Sequence, residues 1–186
     1  MAGSHRQKNN IVLIGFMGTG KTTVGRLLAQ RTGRTFVDLD EEIERSAGLP
    51  VSAIFAQYGE DFFRDQERQI IRQLRERSDL IIATGGGAVL CDENVSNLRQ
   101  CGLVIALQCQ PDIIAKRIAG DPDVRPLVKQ KDSLQIITGL LQERRSRYEA
   151  ANFTIDTSWI TVSEVVSKLE NLITIWQDSV LLSESI

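Results

Sequence analysis

The stretch Gly15-Phe-Met-Gly-Thr-Gly-Lys21-Thr22 constrains this chain more than any other. It satisfies G-x-x-x-x-G-K-[ST] at every position, and its flanks suit the chemistry. Residues 11–14, Ile-Val-Leu-Ile, form an unbroken apolar run, the pattern of a strand buried on both faces. After the loop, Val24, Leu27, Leu28 and Arg31 recur at helical spacing, and Gly33 supplies a stop. Such a strand–loop–helix unit curls backbone N–H groups around phosphates and adds the positive end of a helix. Gly18, Thr19, Gly20, Lys21, Thr22 and Thr23 are its nucleotide-binding candidates. Lys21 would reach the outer phosphates, and the Thr22 hydroxyl would bind Mg²⁺.

The rest of the chain alternates in the same way. Strands are predicted at 11–14, 35–38, 80–83, 103–107 and 153–156. Between and after them, helical patterns run over 21–31, 41–47, 51–58, 61–77, 95–100, 111–119, 133–150 and 161–176. Short apolar strands alternating with helices predict an α/β fold, a three-layer α/β/α arrangement around a five-stranded parallel sheet. The expected organisation is a disordered polar tail over 1–10, a single domain over 11–176, and a C-terminal tail that frays over 177–186. Prolines and charges crowd 121–132, which reads as a mobile surface loop or lid.

Composition removes several kinds of chemistry. The one histidine, His5, lies in a polar tail, which argues against a Ser-His-Asp triad, a Cys-His dyad and a His-based zinc site. The 3 cysteines are odd in number and form no C-x-x-C, so free thiols in a reducing cytoplasm are expected. A net charge of −2 gives no bulk positive field for nucleic acid. No run approaches the ~18 apolar residues that would argue for a membrane span. The expectation is a cytoplasmic monomer with small-molecule partners.

Further candidates lie where strands end. Asp38 and Asp40 follow the second strand, on the rim where ligands of an open parallel sheet bind. Asp38 is the metal candidate, because the third strand ends in Thr84-Gly85 with no carboxylate. Asp40 either faces an acceptor hydroxyl or caps a helix starting at Glu41. Arg64 and Glu67, three apart, share a helix face, as a carboxylate-binding fork with its support or as a plain surface ion pair. Gly85-Gly86-Gly87 suits a loop whose main chain a ligand approaches closely. Arg125, in the charged loop, could close over phosphates or stay solvated. Arg144, Arg145 and Arg147 end a helix, where cations suit the dipole, and Arg144 shares a face with Tyr148.

Taken in order, GFMGTGKT at 15–22, FVDLD at 36–40, FRDQE at 63–67, ATGGGAV at 83–89 and VRPLV at 124–128 resemble the shikimate kinase family. The resemblance covers roughly residues 10 to 175. It implies a P-loop kinase fold with a mobile lid, and ATP-dependent, Mg²⁺-assisted phosphorylation of the 3-hydroxyl of shikimate on the way to chorismate. By the same resemblance Lys21, Asp40 and Arg125 are catalytic, and Thr22 and Asp38 serve the metal. Gly18, Thr19, Gly20, Lys21, Thr22, Thr23, Arg117 and Arg125 bind ATP. Asp40, Phe55, Phe63, Arg64, Glu67, Gly85, Gly86, Gly87 and Arg144 bind shikimate. Two rivals remain on the residues alone: a P-loop kinase for gluconate or a nucleoside monophosphate, and a non-catalytic nucleotide-binding regulator.

Overall fold

The computed structural model describes residues 9–119 and 133–183. The expected lid, with Arg125, lies outside the described residues, as do residues 1–8. Strands β1 (Asn10–Ile14), β2 (Thr35–Asp38), β3 (Leu80–Ala83), β4 (Gly102–Gln108) and β5 (Phe153–Asp156) form one sheet in the order β2-β3-β1-β4-β5. Every pairing is parallel, with Val12 opposite Ile82 on one side and Val104 on the other.

Strand alternation divides the apolar residues between two cores. Val12, Ile14, Ile82, Val104 and Ala106 join side chains of α2 (Leu39–Ala47), α3 (Val51–Leu74), α4 (Asp92–Cys101), α5 (Pro111–Ala119) and α6 (Ser133–Tyr148). Ile11, Leu13, Ile81, Leu103, Ile105 and Leu107 join α1 (Lys21–Thr32) and α7 (Val162–Ser183). All of β1 is buried, which is why Ile11–Ile14 is a continuous apolar run. Each such side chain contributes about 1.5–3 kcal/mol on leaving water. The three-layer α/β/α expectation is met.

The differences are local. The helices expected at 51–58 and 61–77 correspond to the two halves of α3, which is broken at Gly59, whose φ of 80° is left-handed, and ends at Leu74 rather than at 77. The helix expected at 41–47 begins at Leu39, because the Asp38 carboxylate accepts from the Asp40 N–H and caps it. The tail expected from 177 is helical up to Ser183. No glycine or proline lies between Trp176 and Ser183 to stop α7, so it continues after its last core residue, Ile173. Cys101 and Cys109 are buried, Cys91 is half-buried, and all are free thiols.

One buried polar side chain ties the base of the sheet together. The Asn10 amide donates to the Arg77 carbonyl at 2.9 Å and accepts from the Leu80 N–H at 2.9 Å. Asn10→Ala would strand that buried N–H. We expect a loss of about 2 kcal/mol, read from urea unfolding; an unchanged midpoint would contradict it.

Candidate functional site

The carboxyl ends of the strands converge on one rim, beside the point where the chain order turns at β1. The loop after β1 passes so close to β4 that a Cβ on Gly15 would fall 2.3 Å from the Leu107 carbonyl oxygen. The loop delivers Gly20 to the start of α1, where no side chain caps the helix and no acid occupies the first turn. Its N–H groups and positive dipole end therefore suit an anion. Lys21 is buried and its Nζ donates to the carbonyls of Gly15 and Phe16, both at 2.9 Å. Thr19 turns inward, its hydroxyl donating to the Phe16 carbonyl at 2.8 Å, so its side chain shapes the loop.

The Thr22 hydroxyl donates to Asp38 Oδ2 at 2.8 Å, while Asp38 Oδ1 caps α2 at 3.0 Å. One carboxylate thus anchors a helix and stands beside the phosphate loop. Asp38 and Thr22 offer hard oxygen donors, the kind Mg²⁺ takes. Among the described residues no group of three or more His, Cys, Asp or Glu could hold a metal by itself. A cation here would complete its shell with phosphate oxygens and water.

With the capping done by Asp38, Asp40 lies within the first turn of α2 and faces the glycine triplet. A Cβ on Gly85 would fall 2.9 Å from Asp40 Oδ1 and 3.3 Å from Glu67 Oε1. On Gly86 it would fall 3.2 Å from the Met17 nitrogen, and on Gly87 2.6 Å from Arg64 Nη2. The triplet is where α2, α3 and the phosphate loop meet, at a separation that leaves no room for side chains.

Arg64 and Glu67 are more than a surface pair. Glu67 is fully buried, and both of its oxygens accept from Arg64 Nη1, at 3.2 and 3.0 Å. Asn94 holds Glu67 Oε2 from behind at 3.3 Å and also donates to the Ala88 carbonyl at 3.1 Å. Burial by itself would lower the Arg64 pKa, but Glu67 and then Glu60 outweigh it and raise it, so the guanidinium stays charged. Arg64 also lies over the Phe63 ring at 5.3 Å. Phe63 is fully buried, which makes it the floor under Arg64 and leaves it no surface as a wall; Phe55, half-buried, packs on it at 4.8 Å between ring centres.

The three arginines of α6 separate by orientation. Arg145 pairs with Glu149 at 3.0 Å and Arg147 with Asp92, both in exposed positions. Arg144 turns inward over Phe16 of the phosphate loop, 5.6 Å from the ring centre. Its Nε is buried with no hydrogen-bond partner among the described residues. One turn later the Tyr148 hydroxyl donates to the Gly86 carbonyl at 2.9 Å. Burial raises the Tyr148 pKa, against a downward pull from Arg144.

Arg117 reaches the loop from α5. It donates to the Gly18 carbonyl at 3.2 Å and to the Thr157 carbonyl at 2.8 Å. Thr157, absent from the sequence-based candidates, donates in turn to the Thr19 carbonyl at 3.0 Å. Its place just beyond β5, on the ligand-bearing rim, was the available signal. Asn94 and Phe16 were also missed; a lone Asn in a helix and a variable loop position carry no pattern.

The family model described as "Shikimate kinase" matches residues 17–174. A shikimate kinase of Thermodesulfovibrio yellowstonii is 44% identical over 160 residues, covering 86% of this chain and 92% of the relative. One of Moorella thermoacetica is 44% identical over 170 residues, covering 91% and 97%. A solved structure of the Acinetobacter baumannii shikimate kinase in complex with shikimate superposes with a TM-score of 0.84 at 38% identity, covering 91% of this chain and 94% of that one.

The buried carboxylate yields a prediction that needs no ligand. Glu67→Ala leaves a largely buried guanidinium and Asn94 without their shared partner. We expect a loss of about 3 kcal/mol in urea unfolding of the ligand-free protein. A loss below ~1 kcal/mol would mean the pair is solvated after all.

Proposed function

The chain belongs to the shikimate kinase family, and from that premise we propose how its residues move the γ-phosphoryl group of ATP to the 3-hydroxyl of shikimate. The observation that carries the assignment is the glycine triplet, which holds the Arg64–Glu67 pair and Asp40 against the phosphate loop. Phosphoryl transfer depends mainly on positioning and charge stabilisation, so a site without histidine is sufficient.

In this reading the N–H groups of Gly18–Thr23 cradle the phosphates. Lys21 leaves the Gly15 and Phe16 carbonyls for the β- and γ-oxygens. Arg117 flanks the adenine, and its bonds to Gly18 and Thr157 support that placement. Thr22 and Asp38 would hold Mg²⁺, which when bound would offset charge on the transferring phosphoryl group. Arg64, kept in orientation by Glu67, and Arg144, above Phe16, grip the shikimate carboxylate. Phe55 and Gly85–Gly87 border the ring. Asp40 binds the ring hydroxyls and accepts the proton of the attacking 3-hydroxyl as the new O–P bond forms and the bond from the γ-phosphorus to the bridging oxygen breaks, releasing ADP. Arg125, assigned from its Arg-Pro-Leu motif alone, supplies charge to the transition state. No helix among the described residues is long and apolar enough to cross a membrane. The enzyme is proposed to act as a cytoplasmic monomer on small molecules, without nucleic acid or membrane.

ADP release measured with shikimate, gluconate, CMP or no acceptor tests the assignment. We expect release with shikimate alone. Arg64→Ala should raise the shikimate KM about 30- to 100-fold with nucleotide binding intact, the loss of a charge-assisted fork. Asp40→Asn should lower kcat about 10²- to 10⁴-fold. Release driven by another acceptor would discard the substrate; full activity of Asp40→Asn would discard the base. Chelation with EDTA should stop turnover and added Mg²⁺ restore it.

A further inference from the structure

Arg64 stands between two carboxylates of opposite character, Glu67 and Glu60. Glu67 is fully buried, engages Nη1 with both oxygens, and is braced by Asn94. Glu60 is 64% exposed and sets a single oxygen, Oε1, across Nε at 3.2 Å and Nη2 at 3.0 Å. A guanidinium grips a carboxylate best with two parallel N–H donors on one edge. Glu67 holds Nη1 from the protein side, and Gly87 lies against Nη2 and Cζ, where a Cβ would come within 2.6 and 3.1 Å. The Nε–Nη2 edge is the two-donor edge Glu67 leaves, and Glu60 covers it.

The backbone explains how Glu60 comes to be there and why it can leave. The left-handed break at Gly59 starts the second half of α3 at Glu60, one turn before Arg64. Glu four residues before Arg is the favourable order for a helical pair. At this exposure such a pair is weak, so the side chain swings into solvent at little cost.

We propose that Glu60 is an internal competitor, a carboxylate that occupies the Arg64 fork in the free enzyme and is displaced by the carboxylate of the acceptor. This rests on the assignment of Arg64 to that carboxylate. Every anion that seeks the fork must compete with Glu60. An acceptor that also reaches Asp40 and the glycine loop wins that competition; a small monocarboxylate lacking ring hydroxyls does not. Displacing Glu60 costs every carboxylate the same factor, so only an acceptor with further contacts binds in spite of it.

The test is steady-state kinetics of Glu60→Gln, which keeps size and removes charge, with Glu60→Ala as a second variant. Benzoate serves as a carboxylate without hydroxyls. We expect the shikimate KM to fall about two- to fivefold, with kcat and the ATP KM unchanged, and benzoate inhibition to strengthen at least as much. A shikimate KM that is unchanged or raised in both variants overturns the proposal, the second result making Glu60 a support for Arg64 like Glu67. If the wild-type chain releases no ADP with shikimate, the substrate assignment fails first, and this inference with it. Wild-type turnover without a gain in either variant rejects the inference alone.

Discussion

Contact between the glycine triplet and its neighbours is the constraint on which the site depends. Three successive residues without Cβ let Asp40, Glu67, Arg64 and Met17 approach one short piece of main chain from different elements. A methyl group at Gly85 or Gly87 would displace the Asp40 carboxylate or the Arg64 guanidinium. The cost is conformational, since three glycines lose more backbone freedom on folding than other residues would. That cost is offset by the fixed edges around them: β3 before the triplet, wholly buried, and the Tyr148 hydroxyl on the Gly86 carbonyl.

Electrostatics then follow from burial. The chain carries a net charge of −2, yet Arg64 and Arg144 both turn inward beside the glycine triplet and the phosphate loop. Overall charge governs steering at long range, whereas recognition depends on a few partly desolvated groups. Arg64 keeps its charge under burial because Glu67 is beside it. Glu67 tolerates full burial because Arg64 and Asn94 donate to its oxygens. Asp38 follows the same economy of groups, one oxygen on a helix N-terminus and the other on Thr22.

Much of this was legible in the chain itself. The buried strands were visible because a strand covered on both faces leaves no polar alternation. The break between the halves of α3 was visible in Gly59. The phosphate loop was visible because its geometry tolerates few residue types. Less visible were features set by orientation alone. On paper Asp40 was the candidate cap, and only the backbone at the end of β2 gives the task to Asp38. The run to Ser183 in α7 was missed because exposed leucines past Trp176 carry no core signal.

The sequence by itself determined the alternating α/β order, the phosphate loop and the residue types of the acceptor half, because each rests on a local pattern. Tertiary structure decided which of those residues cooperate. Arg144, Arg145 and Arg147 are equivalent in composition, but helix rotation sends Arg144 over Phe16 and the others to surface partners. Glu60 and Glu67 flank Arg64 almost symmetrically in sequence, but one is exposed and the other sealed beneath Asn94. Burial sets the strength of a charge, and burial belongs to the packed molecule rather than to any segment of it.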